Sequence, residues 1–386
     1  TSLCLGLPVD FIVTVYPTPV ITNAPTASDF CSGGTATITP TSNVAGTTFG
    51  WTAVGSSGNV SGFSASGSGN ISEVLTNSGT VAETVTYTVT PTGPMTGLCP
   101  GLAVDFVVTV YPTPVITNAP TTSDICTGGT ATITPTSNVA GTTYGWTAVG
   151  SSANVSGYSA SGSGNISEIL INSGTGIETV TYSVTPTGPA TSLCPGLPVD
   201  FIVIVYPTPV ITNAPTTSEM CSGGTATINP TSNVAGTTFG WTAVGSSGNV
   251  SGYSASGTGN ISEDLTNSGA VAETVTYTFT PTGPATSLCP GLPVNFVVTV
   301  NPPPVITNVP TTFDICSGGT ASINPTSNVA GTTFGWTAVG SSGNVSGYSA
   351  SGTGNISEDL TNSGAVAETV TYTFTPTGPA TSLCPG

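Results

Sequence analysis

The sequence predicts an all-β protein made of tandem β-sandwich domains, and three observations carry that prediction. A strict repeat of 95 residues runs through the chain: Cys4, Cys99, Cys194, Cys289 and Cys384 form one series, Cys31, Cys126, Cys221 and Cys316 a second, and Trp51, Trp146, Trp241 and Trp336 a third. A period of that size is one small domain rather than a solenoid unit. Inside each period, short segments alternate apolar and polar residues between Gly- and Pro-rich turns, and none has a helical period.

The repeats are framed on a recurring seam, Phe106-Val-Val-Thr-Val-Tyr-Pro-Thr-Pro-Val-Ile-Thr-Asn118, whose counterparts start at Phe11, Phe201 and Phe296. This frame places the last strand of a preceding repeat at 1–16 and domains at 17–111, 112–206, 207–301 and 302–386, the fourth ending before its own last strand. Such a chain reads as a stretch of a continuous fibre. The alternative is a donor-strand arrangement, in which residues 8–16 of one molecule complete the domain that starts at Pro302 in another.

In the first domain, residues 20–23 read as a strand closed by Ala24-Pro25, because proline cannot continue a central ladder. Cys31-Ser-Gly-Gly34 is a tight turn, and residues 35–39 alternate Ala36 and Ile38 inward with threonine outward. Residues 47–54 place Phe49, Trp51 and Ala53 on one side. Trp51, Trp146, Trp241 and Trp336 are the largest apolar groups of their repeats and are expected at the centre of each core. Residues 55–70 form turns anchored by Val60 and Phe63. In residues 71–75, Glu73 shares parity with Ile71 and Leu75, so either a bulge re-aims it or it lies at the sheet rim and accepts donors. Residues 84–90 turn Val85, Tyr87 and Val89 inward, with Tyr182, Tyr277 and Tyr372 equivalent to Tyr87; residues 104–111 turn Val104, Phe106, Val108 and Val110 inward.

Composition excludes several functions. There is no Lys, Arg or His against 17 acidic residues, a formal charge of -17. Nucleic acid and anionic membranes therefore find no cation, and no imidazole or amine serves as a general base. No apolar run is long enough to cross a bilayer as a helix. The adjacent carboxylates Glu263-Asp264 and Glu358-Asp359 point to opposite faces of a strand and cannot flank one substrate. No cofactor is expected. Asn59-Val-Ser61 and Asn70-Ile-Ser72 match a glycosylation acceptor but read as turn asparagines.

The Phe49-Gly-Trp51 strand, the run from Glu83 to Pro91, the Cys-Ser-Gly and Cys-Pro-Gly turns and the Val-Thr-Val-Tyr-Pro-Thr-Pro seam resemble the PKD-like repeats of very large surface adhesins of Bacteroidetes. The resemblance covers all four repeats. It implies an immunoglobulin-like fold, export by the type IX route, and long extracellular filaments at the cell surface, some of them gliding-motility adhesins. The partners it implies are neighbouring repeats of the same chain and other surface or filament proteins.

Nine cysteines at regular positions suggest disulfides and an oxidising compartment. The seam frame favours pairs within a domain: Cys31 with Cys99, Cys126 with Cys194, Cys221 with Cys289 and Cys316 with Cys384, leaving Cys4 over. Two rivals stay open: Cys4 with Cys31 and so on along the chain, or bonds from one domain to the next. Calcium is the one ion the residue types allow, through Asp29, Asp124, Glu219 and Asp314 beside the first turn, or Asp10, Asp105 and Asp200 in the last strand, where the fourth copy has Asn295. Solvated carboxylates are the simpler reading.

The functional expectation is a non-enzymatic stalk or spacer in an adhesive filament. The alternatives are repeats that themselves bind carbohydrate or another surface, and a calcium-stiffened matrix or surface-layer protein. Paired prolines at each seam predict stiff junctions and an elongated rod, with domains of roughly 35–45 Å from strand rise plus turns.

Overall fold

The computed structural model describes residues 3, 5–23, 28–118, 122–213, 217–308 and 312–386; Cys4 lies outside them. The chain divides into two compact units, Thr1–Asn172 with Glu178–Val205, and Ser173–Ile177 with Tyr206–Gly386.

The repeat at 17–111 contains nine short strands: β1 (Ser28–Cys31), β2 (Thr35–Ile38), β3 (Thr48–Gly55), β4 (Val60–Ser61), β5 (Ser66–Ser68), β6 (Ile71–Val74), β7 (Thr76–Asn77), β8 (Glu83–Thr92) and β9 (Val104–Tyr111). One sheet has the order β1-β9-β8-β3-β5; facing it are the pairs β2-β6 and β4-β7. The ladders are antiparallel except β1 with β9, which run parallel with Cys31 opposite Tyr111. The repeat at 112–206 follows the same order. In the second unit, the repeat at 207–301 joins its smaller pieces into one three-stranded sheet, Gly224–Ile228, Ile261–Asn267 and Val250–Ser251.

Alternation dictates the core. Val85, Tyr87 and Val89 of β8 are fully buried, and Phe106, Val108 and Val110 of β9 lie beside them, while the intervening threonines stay partly wet. Trp51 crosses this core from β3 with only 8% of its surface exposed, against the edge of Tyr87 at 5.7 Å between ring centroids. Trp146, Trp241 and Trp336 are equally buried and meet Tyr182, Tyr277 and Tyr372 in the same way. The Gly67 backbone lies flat on the Trp51 ring, where any Cβ would collide with it. Val60 is buried and Phe63 packs against the core, anchoring the Ser/Gly-rich stretch.

One expected strand is absent. Residues 20–23 make only a single bridge, Ile21 to Ser42. Asparagine side chains take up the groups a ladder would have used: the Asn43 carbonyl accepts from Val20 N at 2.7 Å, Asn23 accepts from Thr41 N at 2.7 Å, and Asn23 donates to Thr39 O at 2.9 Å. The strand that opens the sheet is instead β1, just before the Cys31 turn, whose partner is the distant β9.

The repeat at 302–386 is more open. Its larger sheet has three strands, Ser351–Thr353, Thr333–Gly340 and Val370–Thr377. Tyr372 and Phe374 are only half-buried here, whereas Tyr277 and Phe279 one repeat earlier are fully buried.

Candidate functional site: a disulfide staple across the seam

The seam is built from two turns at opposite poles of neighbouring repeats. At the outgoing pole of the first repeat, β1 and β9 end together, and Ser32 N donates to Tyr111 O at 2.8 Å. Gly33 N donates to Leu75 O at 2.8 Å, and Ser32 Oγ accepts from Asn77 N at 2.9 Å, which fixes the Cys31 turn beside Pro112.

At the incoming pole of the second repeat, strand Glu178–Thr187 leads into the loop that carries Cys194. Gly188 N donates to Cys194 O at 2.8 Å, while Ser192 N and Leu193 N donate to Pro189 O at 2.8 and 2.9 Å. Leu193 takes the left-handed conformation (φ 52°) that closes this tight loop. Gly196 N donates to Pro186 O at 2.8 Å. A Cβ on Gly196 would collide with the Pro114 carbonyl oxygen and press on the Pro186 ring. The loop is thus seated on the seam proline, with Cys194 fully buried.

Cys31 and Cys194 form a disulfide across this seam, with 5.6 Å between their Cα atoms. The second unit repeats the arrangement: Cys221 lies opposite Asn301, Gly386 sits on the Pro304 carbonyl, and Cys221 bonds Cys384 at a Cα separation of 5.5 Å. Asn301 replaces the seam tyrosine there and donates to Glu219 at 2.8 Å.

These bonds correct the expected pairing. Cys31 does not join Cys99, Cys126 does not join Cys194, Cys221 does not join Cys289, and Cys316 does not join Cys384; the rival bond from Cys4 to Cys31 is equally excluded. The reason is topological. The Cys99 loop packs on Pro19, at the incoming pole of its own repeat, whereas Cys31 lies at the outgoing pole beside Tyr111. Cys126 and Cys289 are also disulfide-bonded, and Cys99 and Cys316 are thiols.

Glu73 lies at the sheet rim opposite Ala36, half-buried, and accepts from Tyr87 Oη at 2.7 Å and Ser64 N at 2.9 Å. Burial alone would raise its pKa, but these donors outweigh it and hold the carboxyl below the ordinary glutamate value. The Tyr87 hydroxyl is pushed up, first by burial and then by the carboxylate beside it. Glu83 accepts from Ser56 Oγ and from Asn59 Nδ2 at 3.3 Å, and those donors lower its pKa.

The carboxylates considered for calcium stay apart. Asp29, Asp124, Glu219 and Asp314 are exposed. Asp105 accepts from Thr88 Oγ1 at 2.6 Å, and Asn295 at the equivalent position accepts from Thr278 Oγ1 at 2.8 Å, so an uncharged amide serves equally well there. Among the described residues no group of three or more acids or cysteines is placed to hold an ion.

A family model described as the PKD-like domain matches residues 28–114, 123–209, 218–304 and 313–386. The chain belongs to the PKD-like domain family. PKD-like β-sandwiches are a non-catalytic structural fold, and Glu73, Glu83 and Asp105 serve as hydrogen-bond acceptors within the first repeat. Solved structures similar to this tandem PKD-like chain include the I-band fragment I67–I69 of titin, at 12% identity over 75% of this chain and 99% of that one, TM-score 0.36. Extracellular domains 3–5 of Drosophila OTK match at 12% identity over 75% and 98%, TM-score 0.27. Immunoglobulin domains 1–4 of Sidekick-1 match at 12% over 92% and 98%, TM-score 0.23. No curated protein matches the chain in sequence. No helix among the described residues is long and apolar enough to cross a membrane.

Proposed function

We propose that these PKD-like repeats are a tension-carrying spacer in an extracellular adhesin filament, with rigid seams and adhesive regions carried elsewhere. The observation that supports this most is the disulfide from the outgoing pole of one repeat to the incoming pole of the next. A bond inside each domain would stabilise that domain alone. A bond across the seam limits bending and gives tension a second covalent route. In the chain-entropy view, closing a loop of this length stabilises by about 5 kcal/mol.

The disulfides support an oxidising compartment, and the resemblance to surface adhesins of Bacteroidetes supports display on a bacterial surface, export by the type IX route and a role in gliding motility. Seam prolines and staples together support a stiff, extended array. Small-angle scattering of the oxidised chain tests the spacer: the expected pair-distance curve is that of a rod, and a curve typical of a flexible chain would overturn it. Antibody labelling of intact cells tests the display; signal only after permeabilisation would exclude it.

A further inference from the structure

The acids beside the first turn keep a fixed relation to its cysteine. Asp29, Asp124, Glu219 and Asp314 stand two residues before Cys31, Cys126, Cys221 and Cys316. The residue between them changes, as Phe30, Ile125, Met220 and Ile315, while the acid stays. Residues i and i+2 of a strand share a face, about 6.7 Å apart. In β1, Phe30 packs on the core and lies opposite the inward Val110, whereas Asp29 and Cys31 lie opposite Thr109 and Tyr111 of the outer face. Asp29 is exposed and Cys31 is half-buried.

In the third repeat a bond holds the acid in this place. Glu219 and Cys221 lie opposite Thr299 and Asn301, and Asn301 Nδ2 donates to Glu219 Oε1 at 2.8 Å, which keeps the carboxylate against the residue opposite Cys221. No cation offsets the charge. The segments that build the first seam, residues 28–34, 107–118 and 186–199, contain Asp29 and no other charged residue, and the whole sequence has no Lys, Arg or His.

We propose that Asp29 is an electrostatic guard of the Cys31–Cys194 staple, slowing its reduction by anionic thiols. Thiol–disulfide exchange is run by a thiolate, and the displaced sulfur departs as a second thiolate. A neighbouring cation favours both and a neighbouring carboxylate opposes both. The two sulfurs are also unequally placed: Cys194 is fully buried, so a small thiol arrives at Cys31, on the strand that carries Asp29.

The reaction that Asp29 opposes has two steps. A reductant thiolate attacks Cys31 Sγ, the bond to Cys194 breaks, and Cys194 leaves as a thiolate. A second reductant thiolate then attacks the reductant sulfur of the mixed disulfide and expels the Cys31 thiolate. The staple gains two electrons, two small thiols become one small disulfide, and their two protons pass to Cys31 and Cys194. Both steps gather negative charge on the face that carries Asp29. The barrier added by the carboxylate therefore grows with the negative charge of the attacking thiolate and fades as salt screens it.

The test caps the thiols of the full chain with iodoacetamide, then follows loss of the Cys31–Cys194 bond by chymotryptic mapping. Three reductants are compared at equal thiolate concentration: 2-mercaptoethanesulfonate, 2-mercaptoethanol and cysteamine, whose thiolates are doubly anionic, singly anionic and neutral overall. At low salt, Asp29→Asn should speed the first by about threefold or more and Asp29→Lys by about tenfold or more, with a smaller gain for the second and the least for cysteamine. High salt should erase the gain. The Cys221–Cys384 bond keeps its own Glu219 and serves as the reference within each molecule, its rate unchanged by either substitution. A substitution that merely loosened the seam would speed all three reagents alike and persist in salt. That result, or rates that do not change with any reagent, would overturn the proposal. Either leaves the Cys31–Cys194 bond in place, and with it the spacer reading.

Discussion

The Tyr87 hydroxyl donates to the Glu73 carboxylate at 2.7 Å, and the pair recurs as Tyr182 with Glu168, Tyr277 with Glu263 and Tyr372 with Glu358. The bond ties the centre of the larger sheet to the rim of the smaller one. Tyr87→Phe keeps the ring against Trp51 and removes only the hydroxyl. It should destabilise its repeat by about 1–2 kcal/mol, since a half-buried carboxylate loses a donor but can partly hydrate. Urea unfolding followed by Trp fluorescence measures this; an unchanged midpoint would show that the bond contributes nothing.

Acid should loosen the repeats through their glutamates. Glu73, Glu83, Glu178, Glu273, Glu358 and Glu368 are all held below the ordinary value of 4.5. A carboxyl depressed in the folded state contributes stability that is present above its unfolded pKa and is lost as pH falls through the folded value. Urea midpoints should therefore hold steady from about pH 7 to about pH 5 and drop below about pH 4. Relief of repulsion among 17 acidic residues acts in the opposite direction. A rise in stability on acidification would show that the global term wins over the local hydrogen bonds.

Pulling the chain by its ends tests the staples. Through the two bonds, the covalent path from Thr1 to Gly386 uses only residues 1–31, 194–221 and 384–386. Single-molecule extension of the oxidised chain should stop on the order of 200 Å, against about 1,300 Å for the full unfolded contour reached in reductant. Cys31→Ser should release most of the residues between Cys31 and Cys194. Equal extension with and without reductant would mean that the seam is unstapled.

Gly196→Ala probes the seat of the Cys194 loop. The added methyl meets the Pro114 carbonyl and the Pro186 ring, neither of which can swing aside, so a loss of about 1–3 kcal/mol is expected, with slower closure of the Cys31–Cys194 bond on refolding. Gly145→Ala, where a Cβ meets nothing within 4 Å, is the matched control. Similar losses in the two variants would detach the effect from the seam.

The core was legible because alternation encodes it: Val85, Tyr87 and Val89, and Phe106, Val108 and Val110, are the inward residues that period two selects. Trp51 followed from size alone. The parity conflict at Glu73 was visible, but its resolution depends on Tyr87 and Ser64 arriving from other strands. Strand β1 stayed hidden because its partner lies roughly 80 residues away and Ser28-Asp-Phe-Cys31 has too few residues to show a period. Of the three pairings left open, the bond from one domain to the next is the one that forms, and the favoured pairing within a domain failed for a related reason. Spacing shows that two cysteines recur at the same step, but not that the two turns in one period sit at opposite poles. Only the parallel β1–β9 pairing places Cys31 beside the exit from its repeat and so within reach of Cys194.

The staples also bear on damage. In a simple chain one broken peptide bond releases everything beyond it. Here a single cut anywhere between Cys31 and Cys194, or between Cys221 and Cys384, leaves Thr1 and Gly386 in one covalent piece, because each cut falls inside a closed ring. Most of the chain is thereby insured against its own breakage, and a nicked molecule would be detected only after reduction.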